Sequence, residues 1–265
     1  MTELSAAPAP AATRPQARAV ELYGFKFRLW PIVGAAILMQ GLLMLGREPA
    51  RWLWHHGPAD WADRPWIFVA LAITFQAIVG IAAIFVMKRA LPQADAHLRL
   101  PEKGKAMTGT AVLIGILMGV IMLLADYWPQ MLSGTAPTDY PVDRVDSPGW
   151  LFAMAITGFA EEPLFRGFLI GGLVVLVPGR LRIGRLDLPL AAYIVALLFG
   201  LAHWENFVVR PFAMAAAQQI YAFGWGIAYA WLMQRSRSLV APIIAHGLGD
   251  VVEVGLIMLW RVALG

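Results

Sequence analysis

Cysteine is absent from all 265 residues, which excludes disulfides, thiolate metal sites and a cysteine nucleophile. Charge is scarce too. Asp, Glu, Lys and Arg make up 14% of the chain, where a soluble domain carries about 25%. A soluble fold of this size needs a solvated surface, and the side chains to make one are missing. A lipid-facing surface removes that need. The start, MTELSAAPAPAATRPQAR, holds no apolar run, so it does not read as a cleavable signal peptide. Its Ala/Pro composition reads instead as a disordered cytoplasmic tail over 1–24. No internal repeat is evident.

What the chain has in abundance is hydrophobic side chains, 59% of the total. They gather into seven stretches, approximately 29–46, 66–87, 107–125, 148–177, 188–205, 212–233 and 239–262. Crossing a bilayer takes about 20 residues. The expected fold class is therefore all-α, a polytopic transmembrane bundle of seven to eight helices. N-terminal transmembrane helices occupy 25–130, and a second helical region occupies 145–264. The 212–233 stretch is the least apolar, with Gln218 and Gln219 inside it, and is expected to face protein. Trp30, Trp66, Trp128, Trp150, Trp204 and Trp260 fall near stretch ends, where amphipathic rings anchor. Arg51–Trp66, with Trp52, Trp54 and Trp61, reads equally as an interfacial segment or an ordinary loop. Asp146-Ser147-Pro148 and Asp187-Leu188-Pro189 both read as helix starts.

Basic residues set the orientation. Alternate connections hold 14 Lys and Arg on one side and 6 on the other. The richer side is cytoplasmic by the positive-inside rule. The N-terminus is then inside and the C-terminus outside; if the source is bacterial, the membrane is the plasma (inner) membrane. The same placement accounts for the pI near 9.6 without a nucleic-acid partner.

One basic residue, Arg166, lies inside a stretch. So do the acids Glu161, Glu162, Asp250 and Glu253 and the histidines His203 and His246. A charge at bilayer depth costs about 2.5–3.5 kcal/mol on insertion scales, which makes such residues functional candidates. All fall in the fourth, fifth and seventh stretches, and the first three contribute none. Glu162 and Arg166 are four apart and share a helix face, so they can pair. Glu161 points about 140° away from Arg166 and is left to face something else. A buried, unpaired carboxylate suits a general base. His246 and Asp250 are also four apart, with Gly247 and Gly249 admitting a substrate backbone or a neighbouring helix. The plain structural readings are a Glu–Arg clamp, an interfacial His203 and a His–Asp bond between helices.

Glu161-Glu162-x-x-x-Arg166, Phe199-x-x-x-His203 and His246-x-x-x-Asp250, in that order on three late apolar stretches, resemble the CPBP family of intramembrane proteases. That family includes the CAAX prenyl endopeptidases and bacterial relatives linked to bacteriocin self-immunity. The resemblance covers roughly 145–262. It implies that Glu161 is the catalytic carboxylate and that His203 helps it activate water. It implies that Glu162 and Arg166 are a supporting pair, and that His246 and Asp250 stabilise the oxyanion. Prenyl-protease members typically carry Asn where this chain has Asp250, and an ionised Asp cannot donate a hydrogen bond. Asp250 is then protonated, or orients His246, or joins Glu161, His203 and His246 around a zinc ion. No cofactor is firmly expected; zinc is the one candidate. The implied partners are membrane lipid and a protein or peptide substrate near a membrane anchor. A non-catalytic scaffold or immunity factor is the alternative, and a proton-relay transporter a third. Depth fits poorly: on straight antiparallel helices His203 sits nearer the outer face than Glu161, unless the fifth helix tilts or ends early.

Overall fold

The computed structural model describes residues 20–22 and 25–264, with side chains from residue 28 onward. The tail expected over 1–24 lies outside the described residues apart from Val20–Leu22 (β1), which pairs antiparallel with Phe25–Phe27 (β2). Three long helices follow: Trp30–His56 (α1), Pro65–Ala90 (α2) and Thr108–Ser133 (α3). The fourth stretch is continuous but broken into Asp146–Ala155 (α4), Thr157–Glu162 (α5), a π-helical segment Pro163–Ile170 and Gly171–Leu176 (α6). A hairpin of Arg180–Ile183 (β3) and Leu186–Pro189 (β4) leads into Leu190–Leu201 (α7) and the short Asn206–Val209 (α8). Phe212–Ser236 (α9) and Val240–Leu264 (α10) complete the chain.

Five spans among the described residues are long and apolar enough to cross a membrane: α1, α2, α3, α7 with α8, and α10. The broken fourth element and the more polar α9 bring the membrane-length segments to seven, as the apolar stretches indicate. Large apolar side chains stay exposed on the outward faces, among them Ile37, Phe85, Val86, Leu113 and Leu259. In water that surface would drive association. In lipid it is the expected exterior, and the chain is an integral membrane protein.

Close glycine contacts report how the helices run. A Cβ added at Gly115 would lie 2.8 Å from the Ala245 carbonyl oxygen, and one at Gly119 2.6 Å from that of Gly249. Both numbers rise together, so α3 and α10 are parallel. Gly158 meets Ile243 and Gly247 meets Ala155, so the fourth element is antiparallel to α10. Gly80 meets Leu164 and Gly167 meets Ile84, so α2 is parallel to the fourth element. Gly200 meets Gln219 and Gly226 meets Ala196, making α7 and α9 antiparallel. Each relation is the one that strict alternation of seven crossings requires. Small residues let backbones approach where lipid offers no hydrophobic drive between helices.

Of the two helix starts expected, the one at Asp146 is found and the one at Asp187 is not. Pro65 opens α2 and Pro31 sits in the first turn of α1, where a missing N–H costs nothing. Asp146 begins α4 but does not cap it. Asp143 does: its Oδ1 accepts from the N–H groups of Asp146 at 2.7 Å and Val145 at 2.8 Å. Those two bonds, Asp146 first, hold the Asp143 carboxyl below the usual carboxylate range. Asp187 is a correction. It lies in β4 and pairs with Arg180 across the hairpin at 3.0 Å, and the helix begins only at Leu190. The turn is made by Gly184 at φ +60°, and Pro189 stays extended. The segment after Arg51 is not a loop at first: α1 runs on to His56 before a 3-10 turn at Ala59–Asp63.

Candidate active site

The fourth element carries the acids. Pro163 supplies no N–H, so the helical ladder loses a rung just past Glu162 and continues with π spacing. Such wide turns recur at functional sites. Asp146 to Leu176 spans 31 residues, about 46 Å at 1.5 Å per residue, so its ends project past a core of about 30 Å. Glu161 is its midpoint. The fifth helix does end early: α7 stops at Leu201, and His203 sits in the turn that follows. At 12 residues α7 is only about 18 Å long. His203 is thus delivered inside the bundle, and the expected gap in depth closes.

Glu162 and Arg166 are fully buried, at 0% and 1% exposure. Arg166 Nη1 donates to Glu162 Oε1 at 3.1 Å. The same oxygen accepts from His246 Nδ1 at 2.7 Å. Glu162 is therefore a bridge between helices rather than half of an isolated clamp. Arg166 Nε and Nη2 have no hydrogen-bond partner. Aromatic faces take their place: the guanidinium lies 4.4 Å from the Phe199 ring centre and 4.9 Å from that of Tyr229. Tyr229 also stacks on His246 at 5.0 Å between centres, and its hydroxyl contacts Met118 Sδ.

His246 is the hub. With Nδ1 on Glu162, its Nε2 faces Asp250 Oδ2 at 3.7 Å and Glu161 Oε2 at 3.8 Å. Asp250 Oδ2 accepts from Thr157 Oγ1 at 2.5 Å, and that hydroxyl also reaches the Met154 carbonyl at 2.8 Å. Gly247 and Gly249 serve helix contact: the first backs onto Ala155, the second onto Met118. His203 Nδ1 meets the Phe199 carbonyl at 2.9 Å. A carbonyl only accepts, so Nδ1 carries the hydrogen and Nε2 of the neutral ring keeps a lone pair. Glu161 and His203 form no direct pair among the described residues; the imidazole nearest Glu161 is His246.

Glu161, His203, His246 and Asp250 line one polar cavity of about 210 Å³. The cavity continues past Tyr221 to Asp126, Arg210 and Glu253. Asp126 Oδ2 accepts from Tyr221 at 3.1 Å and lies 3.6 Å from Arg210 Nη1. The expectation that the first three stretches supply no polar group is thus corrected. Asp126 lies one residue past the apolar stretch that ends at 125, beside Tyr127 and Trp128, and reads there as an interfacial residue. Thr157, Tyr229 and Arg210 also escape sequence reasoning. Only their tertiary neighbours give them meaning.

The zinc set is not assembled. Among the described residues, no three His, Asp or Glu side chains stand as a metal-holding group. His246 already gives one nitrogen to Glu162, and its other is 3.7–3.8 Å from the candidate carboxylates.

Residues 145–252 match the family model described as type II CAAX prenyl endopeptidase Rce1-like. Over that segment the chain is similar to the CAAX-protease family. The family is one of proteases, and the matched segment contains all six motif residues, Glu161, Glu162, Arg166, His203, His246 and Asp250. No curated protein and no solved structure matches the chain.

Proposed function

We propose that the chain is an intramembrane endopeptidase that hydrolyses a peptide bond beside a membrane anchor, with water activated by Glu161 and His203. The observation that carries this reading is the division of labour between two adjacent carboxylates. Glu162 is buried and committed to Arg166 and His246, whereas Glu161, 24% exposed, opens into the cavity with no hydrogen-bond partner of its own among the described residues.

In the proposed reaction one water sits between Glu161 and the His203 Nε2 lone pair. Glu161 takes a proton as the water oxygen attacks the peptide carbonyl. The carbonyl oxygen becomes an oxyanion facing His246, which acts as the imidazolium: its Nδ1–H is tied to Glu162, and its Nε2–H points into the cavity and donates to the oxyanion. Collapse breaks the C–N bond, and the proton held by Glu161 passes to the leaving nitrogen. Asp250, held by Thr157, stands four residues after His246 on α10 and faces its Nε2 at 3.7 Å. Metal is given no part, because His246 Nδ1 is committed to Glu162 and its Nε2 stands 3.7–3.8 Å from the carboxylates that would share the ion. Strong chelation of the purified chain is expected to leave activity intact. Loss on chelation with recovery on adding zinc would instead make His203, His246 and Asp250 ligands.

The reading includes an orientation. The cavity lies at the end of the bundle opposite the basic connections 88–105, 180–185 and 235–237. With those connections cytoplasmic, the N-terminus is inside and the cavity opens outward. Membrane lipid surrounds the chain, and the substrate is a protein or peptide held at the bilayer. The direct test is cleavage of anchored peptides by the purified chain beside its Glu161→Gln variant.

A further inference from the structure

The cavity holds more acid than hydrolysis uses. Glu161 and Asp250 face His246 at one end. Asp126 and Glu253 stand at the other, and neither belongs to the segment that matches the protease family. The glycine contacts of α3 and α10 place them together. Gly115 faces Ala245 and Gly119 faces Gly249, a constant offset of 130 residues. That offset puts Asp126 level with residue 256, within one turn of Glu253.

Asp126 is no surface acid. Its side chain is 6% exposed, and its Oδ1 has no hydrogen-bond partner although the residue lines the cavity. Glu253 makes no side-chain hydrogen bond or ion pair among the described residues. Among the described residues, the one Lys or Arg that lines the cavity is Arg210, 3.6 Å from Asp126 and 38% exposed. Its spacing is longer than a hydrogen bond. Two carboxyl groups face one loosely held guanidinium in a partly enclosed space. A buried carboxylate without a partner is costly, and a second cation brought by a ligand would offset that cost. Tyr221 donates to Asp126 from the wall, and the Trp225 ring lines the same space with its Nε1 unpaired. An aromatic wall beside carboxylates suits the alkyl stem and charged head of a basic side chain.

We propose that the Asp126–Glu253 end of the cavity is a specificity subsite for a lysine or arginine side chain of the bound peptide. The proposal rests on the peptidase reading above. It makes Asp126 and Glu253 selectors of sequence, with no part in the chemistry.

The test uses the full chain in lipid nanodiscs and acylated peptides that differ at one position, Lys, norleucine or Glu. That position is scanned through the residues next to the anchor. Binding is measured on the Glu161→Gln variant, so turnover does not interfere, and cleavage on the native chain. At one position Lys is expected to bind about tenfold more tightly than norleucine, the size of one well-placed charge pair, and Glu more weakly than either. Glu253→Gln or Asp126→Asn, added to Glu161→Gln, is expected to bring Lys and norleucine within about twofold through weaker binding of the Lys peptide. Equal binding of the three peptides at every position, or no binding, overturns the subsite. Equal binding with cleavage by the native chain overturns the subsite alone. A Lys preference in binding with no cleavage at all keeps the subsite and overturns the peptidase.

Discussion

Glu161 and Glu162 are neighbours in sequence with opposite fates, and the difference is measurable. Glu162→Gln strips a charge partner from both Arg166 and His246, all three buried. Removing one partner of a buried pair costs about 3–5 kcal/mol, so a sharp fall in Tm in detergent is expected. Glu161→Gln leaves that network whole. Its Tm should stay near the native value while cleavage falls by about 10²–10⁴, the usual worth of a general base. Equal loss of stability in the two variants would contradict the division. Asp250→Asn should keep its bond from Thr157, since the amide oxygen still accepts, and gain a donor toward the cavity. Cleavage within about tenfold of native is expected there, and a loss as deep as that of Glu161→Gln would assign Asp250 to the chemistry. The Glu162–Arg166 pair is legible in the sequence because four-residue spacing fixes a shared helix face. The reach of Glu162 to His246 is not, since 84 residues separate them. Nor is the role of Tyr229 and Phe199 as faces for Arg166, which is set by helix crossing alone.

Among the elements, the contact of the fourth element with α10 is the tightest constraint. A Cβ on Gly158 would lie 2.4 Å from the Ile243 carbonyl oxygen, and one on Gly247 2.5 Å from that of Ala155. Backbone cannot step aside, so Gly158→Ala and Gly247→Ala should each destabilise by about 1–3 kcal/mol and move His246 off Glu161. Gly249→Ala meets only the flexible Met118 side chain and should be milder. Thermal melts of the three variants check the order, and a Gly249→Ala melt below the other two would contradict it. The helices themselves are legible because apolar runs of bilayer length leave few choices. The β3–β4 hairpin is not, because Leu188-Pro189 fits the first turn of a helix as well as the end of a strand. The π segment is hidden for a related reason. Proline marks a lost rung but does not say how the ladder resumes.

At the scale of the whole molecule, the parallel and antiparallel contacts agree with seven alternating crossings, and the proposed direction in the membrane rests on the basic connections. The chain has no cysteine, so single-cysteine labelling is free of background. In intact cells a membrane-impermeant maleimide should label Thr135→Cys and spare Lys103→Cys. The reverse pattern would invert the orientation and place the cavity on the cytoplasmic face. The central claim is hydrolysis by Glu161, and the most direct measurement is of its products. Membrane-protein termini are compared by mass spectrometry in host cells carrying the native chain, the Glu161→Gln variant at equal abundance, or neither. New termini beside apolar anchors should be found with the native chain and be missing from the other two. Identical termini in all three, or termini that persist with Glu161→Gln, would contradict the account.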